Sequence, residues 1–137
     1  MRSLVVEDEF ISRRILQRLL ACRGECDVAV NGAEALHAIA AALDAGNPYD
    51  VVCLDIMLPD IDGHAVLERM RAMEAAHGIA LGDGTRVFMT TALSQANHVM
   101  GAFKEGADTY IVKPLEPSKV VAALDQVAPV RRRVSAL

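Results

Sequence analysis

A chain of 137 residues, 53% hydrophobic and carrying a formal net charge of −4, is one domain's worth of sequence. A domain near this size buries roughly two thirds of the surface its unfolded form exposes, and with no Trp, three Phe and two Tyr its single core must be aliphatic. The acidic balance argues against non-specific nucleic-acid binding, no apolar run reaches the roughly 18 residues of a membrane span, and the start MRSLVVEDEF lacks the regions of a signal peptide, so a cytoplasmic protein is expected.

The first strand is predicted over Ser3 to Glu7 (SLVVE), followed by a helical stripe of Ile11, Ile15, Leu16, Leu19 and Leu20 that stops at Gly24. Cys26 to Val30 reads as the second strand, and Leu36, Ile39, Ala40 and Leu43 as the second stripe, ended by Gly46. The third strand, Asp50 to Leu54, precedes a stripe of Val66, Leu67, Met70 and Met73, ended by Gly78. A looser, glycine-rich link, Gly78 to Thr85, leads to the fourth strand, Arg86 to Thr90. Ser94 is a candidate start and Gly106 a candidate stop for a fourth helix bearing Val99, Met100 and Phe103. Asp108 to Val112 is the fifth strand, and after Pro114 and Pro117 a last helix starts near Ser118, with Val120, Val121, Leu124 and Val127 on its apolar face. Strands alternating with helices five times over imply an α/β fold, a parallel sheet between helix layers.

Ligands of such sheets bind beyond the carboxyl ends of the strands, and the polar residues gather there. Glu7 and Asp8 follow the first strand, Asp55 the third, Thr90 and Thr91 the fourth, and Lys113 the fifth. If the first and third strands are neighbours, three carboxylates converge and need a cation. Oxygen donors without His or Cys favour a hard ion with room for waters, Mg2+ before Ca2+. An ionised aspartate whose surroundings neutralise phosphoryl oxygens can attack phosphorus, so aspartyl phosphorylation is the chemistry these residues suggest. Cys22, Cys26 and Cys53 complete neither a CxxC pair nor a zinc site and read as reduced structural thiols. His37, His64, His77 and His98 share no motif and read as surface or helix residues.

The set VVEDE, VVCLDIMLPDIDG, FMTTA and YIVKP, in this order and spacing, resembles the receiver domain of two-component response regulators from about Ser3 to Val127, the stand-alone chemotaxis-regulator type in particular. The resemblance implies a flavodoxin-like (βα)5 doubly wound fold with five parallel strands in the order 2-1-3-4-5, a receiver domain over 1–128 and a C-terminal tail over 129–137. It implies Asp55 as phosphoacceptor, with Mg2+, replaceable by Mn2+, held by Asp8, Asp55, the backbone carbonyl of Met57, and Glu7 through a water; Glu7 departs from the aspartate of many receivers. Thr91 and Lys113 would contact the phosphoryl group, Thr91 and Tyr110 would form the conformational switch, and Lys113-Pro114 matches a pair often joined by a cis peptide. Met57 and Leu93, both apolar, stand where family members often carry polar residues, which implies slow self-dephosphorylation. Asp60 and Asp62 are expected to serve the turn into the third helix, with Pro59 and Gly63 shaping the loop.

The implied partners are a sensor histidine kinase or histidine phosphotransfer protein and a downstream protein target, reached through the face of the fourth helix, fifth strand and fifth helix. No direct nucleic-acid or membrane contact is expected, and the state is a monomer or weak phosphorylation-dependent dimer. A phosphorelay intermediate, a phosphate sink, and a fragment of a larger regulator or hybrid kinase are the other signalling readings, with Arg131 to Arg133 read as a solvated tail. Two enzyme or cofactor classes fit less well. A DxD phosphatase needs a second acid where Met57 stands, and a flavin carrier needs a hydroxyl- and glycine-rich loop where EDEFIS stands. The chain is thus read as catalysing only its own phosphorylation and dephosphorylation.

Overall fold

The computed structural model describes residues 1–92 and 106–127. Strands β1 (Ser3–Val6), β2 (Cys26–Ala29), β3 (Val51–Asp55), β4 (Arg86–Ala92) and β5 (Thr109–Lys113) form one parallel sheet in the order β2-β1-β3-β4-β5. Helices α1 (Phe10–Ala21), α2 (Gly32–Asp44), α3 (Gly63–Ala76) and α4 (Pro117–Leu124) flank it. The fourth predicted helix around Val99, Met100 and Phe103, with Leu93, Ser94 and His98, lies outside the described residues, as does the tail with Arg131 to Arg133. Among the described residues no helix is long and apolar enough to cross a membrane.

Side chains of a strand alternate between its faces, and here the alternation sorts two cores. Leu4, Val6, Val52, Leu54, Val87 and Met89 pack with Ala35 and Ile39 of α2 and with Val66, Leu67 and Met70 of α3. Val5, Val51, Cys53, Phe88 and Ile111 pack with Leu16 and Leu20 of α1 and with Val120 and Leu124 of α4. Burial on both faces explains why β1 and β3 read as unbroken apolar runs.

Several boundaries differ from expectation. β3 starts one residue late and takes in Asp55, which pairs with Thr90 of β4, while the carboxylate of Asp50 accepts the Arg2 N–H at 2.6 Å. β4 runs two residues further, through Thr91 and Ala92, since β5 pairs it as far as Lys113. β5 is shifted by one: Asp108 precedes it and accepts the Val87 N–H at 2.8 Å. Phe10 and Ile11 at the start of α1 are 61% and 65% exposed, so only the later part of that stripe reaches the core. Ser118 does not start α4; Glu116 is the N-cap and Pro117 follows, where its missing N–H costs nothing. Gly46 and Gly78 end α2 and α3 with φ of +69° and +79°, a conformation that suits glycine.

At the opposite edge of the sheet from the acidic strand ends, the glycine-rich link is tied down. The carboxylate of Glu74, buried on α3, accepts the Thr85 N–H at 2.8 Å and pairs with Arg71 at 2.7 Å. Arg71 also donates to the Thr85 carbonyl at 2.7 Å and, through two nitrogens, to the Gly106 carbonyl at 3.2 and 2.6 Å. A glutamate on the apolar face of α3 was not foreseen, and its burial is compensated by these partners.

Candidate functional site

β1 and β3 are adjacent, with Val6 opposite Leu54, so Glu7 leaves the sheet beside Asp55. Carboxylate oxygens of Glu7, Asp8 and Asp55 all lie within 4.8 Å of one another. Two unit charges about 4 Å apart repel by about 4 kcal/mol at an effective dielectric near 20, so the cluster needs a positive counterpart. Lys113, delivered from the end of β5 beside a cis Lys113–Pro114 peptide, supplies one: its Nζ is 2.5 Å from Glu7 Oε1 and 3.3 Å from Asp55 Oδ2.

Burial pushes the Glu7 carboxyl up, the neighbouring Asp55 adds to this, and Lys113 only partly opposes it. Burial alone would lower the Lys113 ammonium, but Glu7 and Asp55 outweigh that and raise it. One ammonium against three carboxylates leaves excess negative charge on hard oxygen donors. That set fits a divalent cation such as Mg2+, with Glu7, Asp8 and Asp55 as the side chains able to hold it.

The backbone around the cluster is held from α1. Arg13 donates to the carbonyls of both Glu7 and Asp8 at 3.1 Å. Glu9 caps the helix, accepting N–H bonds from Ile11 at 3.0 Å and Ser12 at 2.6 Å, and those bonds hold its carboxyl below the usual range. Asp55 Oδ1 accepts the Met57 N–H at 3.2 Å, and the Met57 side chain is 60% exposed beside it.

Thr91, fully buried at the end of β4, donates to the Ala92 carbonyl at 3.3 Å. Thr90 pairs with Asp55 in the β3–β4 register and is buried on the alternation that packs Phe88. Tyr110, opposite Met89, is partly buried against the core that α2 and α3 share. The structure therefore brings Glu7, Asp8, Asp55 and Lys113 into direct proximity. Thr91 and Tyr110 stand on the neighbouring strands with the opposite alternation. Of the expected output face, β5 and α4 are described.

Asp62 caps α3 by accepting the His64 N–H at 2.7 Å. Asp60 does more than serve the turn into α3: its carboxylate also reaches α2, accepting the N–H groups of Gly32 at 2.7 Å and Ala33 at 2.9 Å. Those bonds hold its carboxyl below the usual range. Nothing local announces a partner 28 residues away. The capping of α2 by Asn31, which accepts the Glu34 N–H at 2.8 Å, has a local signal in the Asn-x-x-Glu spacing, whereas Arg13 has none.

Comparison with known proteins places the chain in a family. The sequence model of the response regulator receiver domain matches residues 3–125. The transcriptional regulatory protein DltR of Streptococcus agalactiae is 40% identical over 125 residues, 90% of this chain and 50% of its own length. The transcriptional regulatory protein ResD of Bacillus subtilis is 41% identical over 120 residues, 86% of this chain and 44% of its own. The chain thus spans about half the length of the curated relatives it matches. The crystal structure of the chemotaxis protein CheY4 of Vibrio cholerae superposes with a TM-score of 0.74 at 25% identity, covering 93% of this chain and 98% of that one. Relatives named for transcription are partly at odds with the expectation of no direct nucleic-acid binding.

Proposed function

The chain belongs to the response regulator receiver domain family, whose members are phosphorylation-dependent signalling switches rather than turnover enzymes, and from that premise we propose that Asp55 accepts a phosphoryl group from a phosphohistidine of a sensor kinase or histidine phosphotransfer protein. The observation that carries the reading is the Lys113 ammonium 3.3 Å from Asp55 Oδ2, within a cluster of three carboxylates. An Asp55 oxygen forms the new P–O bond as the P–N bond breaks, and the departing imidazole keeps the electron pair and takes a proton.

Glu7, Asp8, Asp55 and the Met57 carbonyl would hold Mg2+, or Mn2+ in its place, and the bound ion supplies positive charge to the phosphoryl oxygens. Lys113 adds a second cation to those oxygens. Thr91 turns its hydroxyl from Ala92 toward the phosphoryl group, and Tyr110 moves inward behind it. Phosphorylation adds a charge of about −1.5 to −2, which biases an existing equilibrium between inactive and active forms.

The signal passes to a protein target in the cytoplasm across β5, α4 and the segment before β5, from a monomer or a weak phosphorylation-dependent dimer. A second reading is favoured by the length of the relatives: the chain acts as the receiver half of a longer transcriptional regulator. Relay or sink roles use the same chemistry. Phosphorylation by a small phosphodonor with and without Mg2+, in wild type and Asp55→Ala, tests the shared claim. Pull-down with and without beryllofluoride then separates a direct effector from a relay.

A further inference from the structure

The loop that follows Asp55 is clamped at both its neck and its tip. At the neck the Gly63 N–H donates to the Ile56 carbonyl at 2.8 Å, and a Cβ on Gly63 would lie 2.3 Å from the Asp55 carbonyl oxygen. The loop therefore leaves and returns beside the aspartate with no room for a methyl group. At the tip, Asp60 takes the Gly32 and Ala33 N–H groups with its two oxygens. Ile61 lies against the same turn, so close that a Cβ on Gly32 would fall 2.3 Å from Ile61 Cγ1.

Asp60 caps α2 from a loop that belongs to α3, and the cap ties that loop down. Asn31 already caps α2 at Glu34, and Asp62 already caps α3 at His64. The two donors Asp60 satisfies belong to a different helix from the one its loop enters, so these bonds fix the shape of the loop. Between neck and tip lies Met57, whose N–H contacts Asp55.

Resting on the reading of Asp55, Asp8 and Glu7 as a Mg2+ site, we propose that Asp60 is a positioning residue that couples this site to the first turn of α2. Its carboxylate holds the 57–62 loop in the shape that presents Met57 to the acidic cluster. Coupling of this kind is reciprocal. If the Asp60 bonds favour Mg2+ binding, Mg2+ must tighten the Asp60 bonds by the same factor, and α2 becomes a second element that senses occupancy of the site.

The test is calorimetric titration of the whole chain with Mg2+ alone, in wild type, Asp60→Ala and Asp60→Asn, beside amide hydrogen exchange of wild type. Asp60→Ala is expected to bind Mg2+ about fivefold or more weakly, with Asp60→Asn between it and wild type. Mg2+ is expected to slow exchange at Gly32 and Ala33 in wild type by a comparable factor, through openings independent of low urea that report the local bonds and not the global stabilisation any bound ion gives, a readout that needs no variant to fold. Wild type that binds Mg2+ with unchanged Gly32 and Ala33 exchange, or Asp60→Ala that folds and binds Mg2+ like wild type, overturns the coupling and leaves the metal site standing. Wild type that binds no Mg2+ overturns both.

Discussion

Lys113 Nζ lies 2.5 Å from Glu7 Oε1, nearer than its 3.3 Å approach to Asp55 Oδ2. Glu7 is fully buried, so the lysine is the charge that lets a carboxylate sit inside the protein at all. Lys113→Met is expected to destabilise the metal-free protein by about 2 kcal/mol, below the cost of breaking a fully buried pair because Lys113 is partly exposed. Without Lys113 the Glu7 carboxyl climbs further, and a raised carboxyl loses its stabilising contribution as pH rises through its folded value. The deficit in urea unfolding should therefore be larger at pH 8 than at pH 5, and Mg2+ should recover part of it. Equal deficits at both pH values would refute this account of the pair.

Glu74→Ala removes the acceptor of the Thr85 N–H and the partner of Arg71. The expected loss is about 3 kcal/mol, the cost of leaving a buried ion pair half made. Since this network lies at the other edge of the sheet, the phosphorylation rate of the folded fraction should be unchanged. Unfolding midpoints and single-turnover phosphorylation of the same preparation check both halves of the statement.

Met57 is exposed beside Asp55 and offers water no hydrogen bond. The double variant Met57→Asn, Leu93→Glu is expected to shorten the phosphate half-life roughly threefold to tenfold or more, since an amide orients water and a carboxylate can also take its proton. An unchanged half-life in that double variant removes the proposed role of the two apolar side chains. Leu93 itself lies outside the described residues.

Burial pushes the Cys53 thiol up to about 12. Tyr49 is raised as well, by burial first and by the Asp27 carboxylate, to which its hydroxyl donates a hydrogen bond at 2.6 Å. Both groups, like Lys113, hold protons in the folded state that the unfolded chain gives up, so stability is full below their ordinary values and falls as pH rises above them. The decline should begin near pH 8.5, where an unfolded thiol titrates, and should be shallower in Cys53→Ala, where Cys26, also raised by burial, still contributes. Alkylation of the native protein should modify exposed Cys22 well before buried Cys53. Flat stability between pH 8 and 10 would count against this prediction.

Most of the fold was legible because its signals are local. Unbroken runs such as VVCL announce a strand covered on both faces, and the alternation of strands with helical stripes announces the parallel sheet. The acidic cluster was legible too, since four strand ends carried polar residues and the β1–β3 adjacency brings three of the carboxylates together. What escaped was long-range or belonged to the ends of elements. Asp60 looks like any turn aspartate until its partner 28 residues earlier is seen, and Glu74 interrupts an apolar stripe for the sake of Thr85 and Arg71. At the shifted starts of β3 and β5, Asp50 and Asp108 turn their carboxylates to the neighbouring strand, Asp50 to the N–H of Arg2 before β1 and Asp108 to the N–H of Val87 in β4.

Incubation with a small phosphodonor, followed by intact-mass measurement, tests the central claim most directly. Wild type is expected to gain the mass of one phosphoryl group, only with Mg2+ or Mn2+ present, in a base-labile form, and Asp55→Ala is expected to gain none. No adduct on folded wild type, or an equal adduct on Asp55→Ala, would contradict the assignment of Asp55 as the phosphoacceptor.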